Sequence, residues 1–202
     1  MLNESRSQKI LQKTMTELLL DDYQLRLCVV NAAQYGDAQN RMRVLLFGAK
    51  RGYKLPDFPK STHGDTSKGL FKIVTAKDVM GVLESILPVP DSGLVELPNG
   101  QLVHDHCLNA SPSDHKSNVC TLVAEKPSPT VRRTNAIRHY NPQLDRLITI
   151  RESALLQGFP LDYTFCGDHK SVRDQIGNSV PINLARAIAR TVLAAASHTA
   201  HR

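Results

Sequence analysis

Three short stretches of this 202-residue chain stand out, and in two of them the side-chain types and spacing suit chemistry on an anion. The first is Gln39-Asn-Arg41-Met-Arg43. In an extended segment successive side chains alternate, so Gln39, Arg41 and Arg43 share one face while Met42 and Val44 take the other. Neighbouring guanidiniums repel unless an anion or a hydrogen-bond acceptor lies between them, and their fork suits phosphate or a base edge. A pair of surface arginines on an edge strand is the plain alternative. The second stretch is Gln175-Ile-Gly-Asn178-Ser179-Val-Pro181. Read as a turn at the start of the last helix, it presents free amides that favour a carboxylate or phosphate; an ordinary helix cap is the competing reading. The third, Arg151-Glu-Ser-Ala-Leu-Leu-Gln157-Gly-Phe-Pro160, reads by itself as a capped structural helix ended by a Gly-Phe-Pro turn. His104-Asp-His106-Cys107, with His115 nearby, has the ligand types for a metal but no common structural zinc spacing, so a polar loop is the better reading and no metal is expected.

The elements needed to position these residues are legible in part. Apolar residues at Leu11, Met15, Leu18 and Leu19 predict an amphipathic helix over Ser7–Leu20 with one face packed on a sheet. Leu25–Ala32 and Arg43–Gly48 are rich in apolar and β-branched residues and predict two neighbouring strands, joined by a polar connection through Gly36. From Arg51 to about Asn118 the chain turns to Pro, Gly, Ser, Asp and His, interrupted by one helix over Ala76–Ile86 with Thr75 as its N-cap and Asp78 at the third helical position. A further helix is expected over Ile148–Gln157, with Thr149 as cap and Gly158 as stop, and an Ala-rich helix over Asn183–Ala196 after Pro181.

Composition bounds what these elements can build. The length suits one domain or two small ones, with enough Leu, Ile and Val for a real core. No apolar run approaches the roughly 20 residues of a membrane helix, so no membrane partner is expected. The N-terminal stretch lacks the apolar core of a signal peptide, which favours an intracellular setting, and the four cysteines, without a Cys-x-x-Cys pair, read as reduced and mostly buried thiols. The net charge of +6 is unevenly placed. Gln39–Lys54 and Lys126–Arg151 each carry +5, leaving the rest of the chain at −4. Basic windows on a mildly acidic body are the electrostatic footprint of a polyanion binder, although two solvated basic faces would look the same.

Taken together and in this order, the stretches resemble the C-terminal half of the DNA cytosine-5 methyltransferases. Asn31-Ala-Ala-Gln-Tyr-Gly-Asp-Ala-Gln-Asn-Arg-Met-Arg-Val44 resembles the family's eighth conserved block, Thr149-Ile-Arg-Glu-Ser-Ala-Leu-Leu-Gln-Gly-Phe-Pro160 the ninth, and Gln175-Ile-Gly-Asn-Ser-Val-Pro181 the tenth. The resemblance implies methyl transfer from S-adenosylmethionine to C5 of a cytosine flipped out of double-stranded DNA, because the target carbon is out of reach inside the duplex. It implies that Arg41 and Arg43 line the catalytic pocket, Arg43 touching the flipped base, and that Gln39 orders the site. Asn178 and Ser179 match positions beside the methionine-like end of the cofactor, and the ninth block matches a scaffold for DNA reading. Thr130-Val131-Arg132-Arg133 sits where the recognition domain carries residues near the flipped base, and with Arg138 it is the expected DNA contact.

The implied fold is α/β: a partial Rossmann-like methyltransferase sheet with a loop-rich target recognition domain. Residues 1–50 would belong to the catalytic domain, 51–170 to target recognition, and 171–202 to a helix returning to the catalytic domain. Two departures stand out. Asp37-Ala38 replaces the family's usual Val-Pro, which removes a rigid ring and places a carboxylate beside the arginines. More seriously, the chemistry needs a thiolate nucleophile, a carboxylate partner and a glycine-rich cofactor turn, in the family a Pro-Cys-Gln, a Glu-Asn-Val and a Phe-x-Gly-x-Gly. No cysteine here follows a proline, no Glu precedes Asn, and no two glycines are separated by one residue. The expected enzyme therefore needs a partner, an N-terminal methyltransferase half that supplies the cysteine; the alternative is a non-catalytic DNA-binding remnant or recognition module. The expected location is the nucleus in a eukaryote and otherwise the cytoplasm.

Overall fold

The structure is a computed structural model and describes residues 6–81, 94–96, 100, 102–104, 119–132, 138–141 and 146–199. These fall into two compact units. Met1–Val30, Met42–Lys60 and Arg186–Arg202 belong to the first, Asn31–Arg41 and Ser61–Ala185 to the second.

The first unit begins with helix α1, Arg6–Leu20. Leu11, Met15 and Leu18 are half-buried, as their 4-3 spacing requires, but no residue of α1 is fully buried and Leu19 is exposed, so the stripe packs less deeply than expected. Strands β1, Tyr23–Asn31, and β2, Met42–Lys50, pair as a two-stranded sheet. A Cβ added at Gly48 would meet Leu25 at 3.3 Å and Tyr23 at 3.6 Å, which puts these three positions on one face. The two-residue period then carries Leu27 and Val29 of β1, with Met42, Val44 and Leu46 of β2, to that same face. There Val29 is 61% exposed and Met42 57%, with Leu27 and Val44 also open. On the other face Phe47 is buried against Phe58, with ring centroids 6.5 Å apart, and the Arg26 guanidinium lies 5.4 Å from the Phe58 centroid while bonding Asp57 at 2.7 Å.

The second unit holds the main apolar core. Helices α2 (Ala76–Met80), α3 (Ile150–Leu156) and α4 (His169–Asn178) contribute Met80, Ile150, Leu156, Val172 and Ile176, which pack with Leu122, Val131 and Phe165. Short strands complete it. β3 (Leu94–Glu96) pairs antiparallel with β4 (Leu102–His104), and β6 (Arg138–Asn141) pairs parallel with β5 (Val119–Thr121) and antiparallel with β7 (Arg146–Leu147). Helix α5, Ile182–Thr199, starts in this unit and continues into the first.

Among the described residues, two helices begin with capping boxes. Thr75 and Thr149 each accept the third helical amide, while Asp78 and Glu152 return to the caps' own N–H groups. The α2 helix expected over Ala76–Ile86 is described as far as Met80, residues 82–86 lying outside the described residues. The Thr75 backbone N–H and hydroxyl hold the Asp78 carboxyl below its ordinary range, helped by Lys72 and Lys77. A carboxyl depressed on folding stabilises above its unfolded value and loses that contribution as pH falls through the folded one. The stability gap between the native chain and Asp78→Asn, followed by urea denaturation, should therefore be present at pH 7 and close below about pH 4.

The thiol expectation needs correction. Cys28 and Cys120 are half-exposed and Cys166 is exposed, while Cys107 lies outside the described residues. Partial burial pushes the Cys28 thiol up, away from the thiolate form. Among the described residues no helix is long and apolar enough to cross a membrane and no metal-binding cluster occurs. His106, Cys107 and His115 lie outside those residues, and only the backbone of His104 is described.

Candidate active site

The residues between β1 and β2 form a loop tied at its neck. The Asn31 carboxamide oxygen accepts the amides of Ala33 at 3.3 Å and Arg41 at 3.0 Å, its nitrogen donates to the Asn40 side chain at 3.0 Å, and the Ala32 amide bonds the Arg41 carbonyl at 3.1 Å. Gly36 turns the chain at φ +95°, with the His63 ring so close that an added Cβ would lie 2.7 Å from it. Glycine is required there on both counts. Desolvation in this spot lowers the His63 pKa, favouring the neutral ring.

This closed loop aims two buried side chains at the rest of the unit. Gln39 is fully buried. Its amide nitrogen donates to the Leu156 carbonyl at 3.0 Å and to the Gln157 side-chain oxygen, and its own oxygen accepts the Val131 amide at 3.0 Å. Gln157, also fully buried, donates to the Ile176 carbonyl at 2.7 Å and to the Ser179 hydroxyl at 3.1 Å. Arg41 is 5% exposed, and its guanidinium donates to the carbonyls of Val131 at 2.5 Å, Gly177 at 3.0 Å and Ser179 at 3.5 Å. Residues from positions 39–41, 131, 156–157 and 176–179 thus meet in one hydrogen-bonded network. Burying so many amides is stable because each named group finds a partner.

The Arg151 guanidinium is buried, donates to the Tyr163 carbonyl at 2.7 Å and lies 5.5 Å from the Phe165 ring centroid. Phe159, Tyr163 and Phe165 form a mutual cluster with centroids 4.8–5.1 Å apart. That arrangement packs the turn that follows α3, whose C-cap is Gln157.

The other expected site residues are placed differently. Arg43 sits on β2 in the first unit, half-buried, its guanidinium on the Met42 carbonyl at 2.6 Å and its pKa lowered by desolvation from the usual guanidinium value. Thr130 donates to the Asn40 carbonyl at 2.8 Å, and Arg132 is exposed beyond it. Arg133 lies outside the described residues; Arg138 starts β6, where only its backbone is described.

One sequence expectation is overturned. Gly177-Asn178-Ser179 is the C-terminal end of α4 and not the start of a helix, so it offers carbonyls, which Arg41 takes, while the Ser179 amide is used on Gln175 and Ile176. The free-amide argument for an anion there fails, although Asn178 keeps an exposed carboxamide. Asp37, noted in the sequence for putting a carboxylate near the arginines, has a structural task of its own. Its buried carboxylate binds the first turn of α5, accepting the amides of Asn183 at 3.1 Å and Leu184 at 3.0 Å. The sequence singles out Asp37 only as a departure and Gln157 only within a capped helix, and misses their roles in binding α5 and the network; the one available signal was a carboxylate and a carboxamide flanking glycines in otherwise apolar company.

A family model for the C-5 cytosine-specific DNA methylases matches residues 1–194. The chain is 30% identical over 182 residues to a type II methyltransferase of Haemophilus parahaemolyticus, covering 85% of this chain and 48% of that protein. It is 29% identical over 211 residues to a type II methyltransferase of Neisseria gonorrhoeae, covering 94% and 55%. Its fold matches a prophage-encoded E. coli protein described as a DNA modification methyltransferase, at TM-score 0.67 and 21% identity, covering 96% of this chain and 66% of that one. The architecture is that of an α/β methyltransferase. This chain belongs to the C-5 cytosine-specific DNA methylase family, and it spans about half the length of the curated type II relatives.

Proposed function

We propose that this chain is the C-terminal portion of a DNA cytosine-5 methyltransferase that works with a complementary N-terminal half. The observation that carries the reading is the network itself: the eighth, ninth and tenth blocks, far apart in sequence, are bound together through Gln39, Arg41 and Gln157. That assembly is present while the nucleophile, carboxylate and glycine-rich motifs are absent from the sequence. The apolar sheet face of Leu27, Val29, Met42 and Val44 supports the same reading, since a two-stranded sheet is marginal by itself and its open face suits further structure.

In this reading residues 1–50 and 171–202 serve the catalytic domain and 51–170 target recognition. Arg43 contacts the flipped cytosine, and Thr130, Arg132, Arg133 and Arg138 contact the DNA. S-adenosylmethionine, when bound, supplies the methyl group. Asn178 fits such a ligand, because its exposed carboxamide can both donate and accept. Ser179 is turned inward, donating to the Ile176 carbonyl at 2.7 Å, so its part is to hold the turn.

The test uses radiolabelled S-adenosylmethionine and duplex DNA. The pure chain should transfer no methyl group. Transfer should appear when it is co-purified with the product of a neighbouring reading frame that carries Pro-Cys-Gln and Glu-Asn-Val. Turnover by the chain alone, or none with such a half, would overturn the proposal.

A further inference from the structure

The first four amides of an α-helix have no partner inside it and must be satisfied from elsewhere. In α5 the residue at the cap position is Pro181, which has no side-chain acceptor. The deficit is made good by residues distant in the chain. Ile182 donates to the Gln157 carbonyl at 3.1 Å, and Asn183 and Leu184 each donate to one oxygen of the Asp37 carboxylate; Ala185 makes the first bond within the helix, to Pro181, at 2.9 Å. The Asn183 side chain donates to the Gly36 carbonyl at 3.0 Å, tying the same helix start to the same loop a second time.

Two further features show that the carboxylate is built in. Asp37 has no exposed surface. Gly158, at φ +82°, approaches it so closely that an added Cβ would lie 2.6 Å from the Asp37 oxygen. The helix start therefore already holds its anion, and no bound phosphate or carboxylate is needed there. Immediately before it runs Asn178-Ser179-Val180-Pro181, held at its α4 end by Arg41 and Gln157 on the carbonyls of Ile176, Gly177 and Ser179.

We infer that Asp37 is the positioning residue of this turn: it fixes the α5 end as Arg41 fixes the α4 end, and so sets where Asn178 is presented. The link to a cofactor rests on the function proposed above, whereas the link between Asp37 and the turn does not. The test compares Asp37→Ala and Asp37→Asn with Thr75→Ala, which removes the cap of a different helix, α2.

In the full chain, amide hydrogen exchange at Asn183 and Leu184 should quicken about tenfold in Asp37→Ala and remain native in Thr75→Ala. Asp37→Asn should fall between, because a carboxamide keeps one acceptor oxygen. In the complemented enzyme, Asp37→Ala should raise KM for S-adenosylmethionine about tenfold while kcat at saturating cofactor changes little, and Thr75→Ala should leave KM in place. Unchanged exchange at Asn183 and Leu184 would overturn the inference, as would an equal KM in Asp37→Ala and Thr75→Ala. Absence of transfer in the complemented native protein would count against the proposed function, and the exchange measurement would still decide the role of Asp37.

Discussion

Replacing Arg41 with alanine should destabilise the protein by about 3–5 kcal/mol, a large share of the total of a typical domain. The guanidinium is the donor for the Val131 and Gly177 carbonyls and reaches the Ser179 carbonyl. Truncation leaves those acceptors buried, at about 1–3 kcal/mol for each unsatisfied group, and opens a void where a large side chain was packed. Arg41→Lys should recover only part of the loss, because one ammonium cannot reproduce a planar fork directed at carbonyls on two separate segments. Urea denaturation of the full chain measures both variants. A loss below about 1 kcal/mol for Arg41→Ala would show that water replaces the guanidinium without cost, contrary to a network sealed from solvent.

That expectation marks where sequence reading reaches its limit. Alternation groups Arg41 with Arg43 along an extended segment, but it cannot tell that the first is sealed among carbonyls while the second is half-open on β2. The difference depends on Val131 and Gly177, which lie 90 and 136 residues away. Local signals fared better. The Thr75–Asp78 box and the Thr149 cap are short-range patterns that appear at their expected places, and of the Leu11, Met15, Leu18 and Leu19 stripe all but the exposed Leu19 are half-buried. Helix α4 was missed because His169–Asn178 is mostly polar, with its buried Val172 and Ile176 one turn apart, too few for a periodic signal. Missing α4 turned its carbonyl end into an expected amide site. The short strands β3 and β4 fall in the stretch rich in Pro, Gly and Ser, β5–β7 follow it as segments of two to four residues, and the pairing of all five is set by partners that no local pattern reveals.

Arg43→Ala should have the opposite profile to Arg41→Ala. Arg43 bonds the carbonyl of its own neighbour, Met42, a contact that holds no distant segments together. Its removal should leave stability within about 0.5 kcal/mol of native. If its guanidinium meets the flipped cytosine, as proposed, methyl transfer by the complemented enzyme should fall about 100- to 1000-fold, the scale of losing one donor that stabilises charge in a transition state. DNA affinity should change little, since the basic windows at Gln39–Lys54 and Lys126–Arg151 supply many other phosphate partners. Arg43→Lys should not restore the rate, because an ammonium keeps the charge but loses the fork that reads a base edge. Filter binding and single-turnover methylation on the same preparations separate the two effects. An equal fall in binding and methylation would place Arg43 on the phosphate backbone, and a fall in stability to match Arg41→Ala would make it a second structural tie.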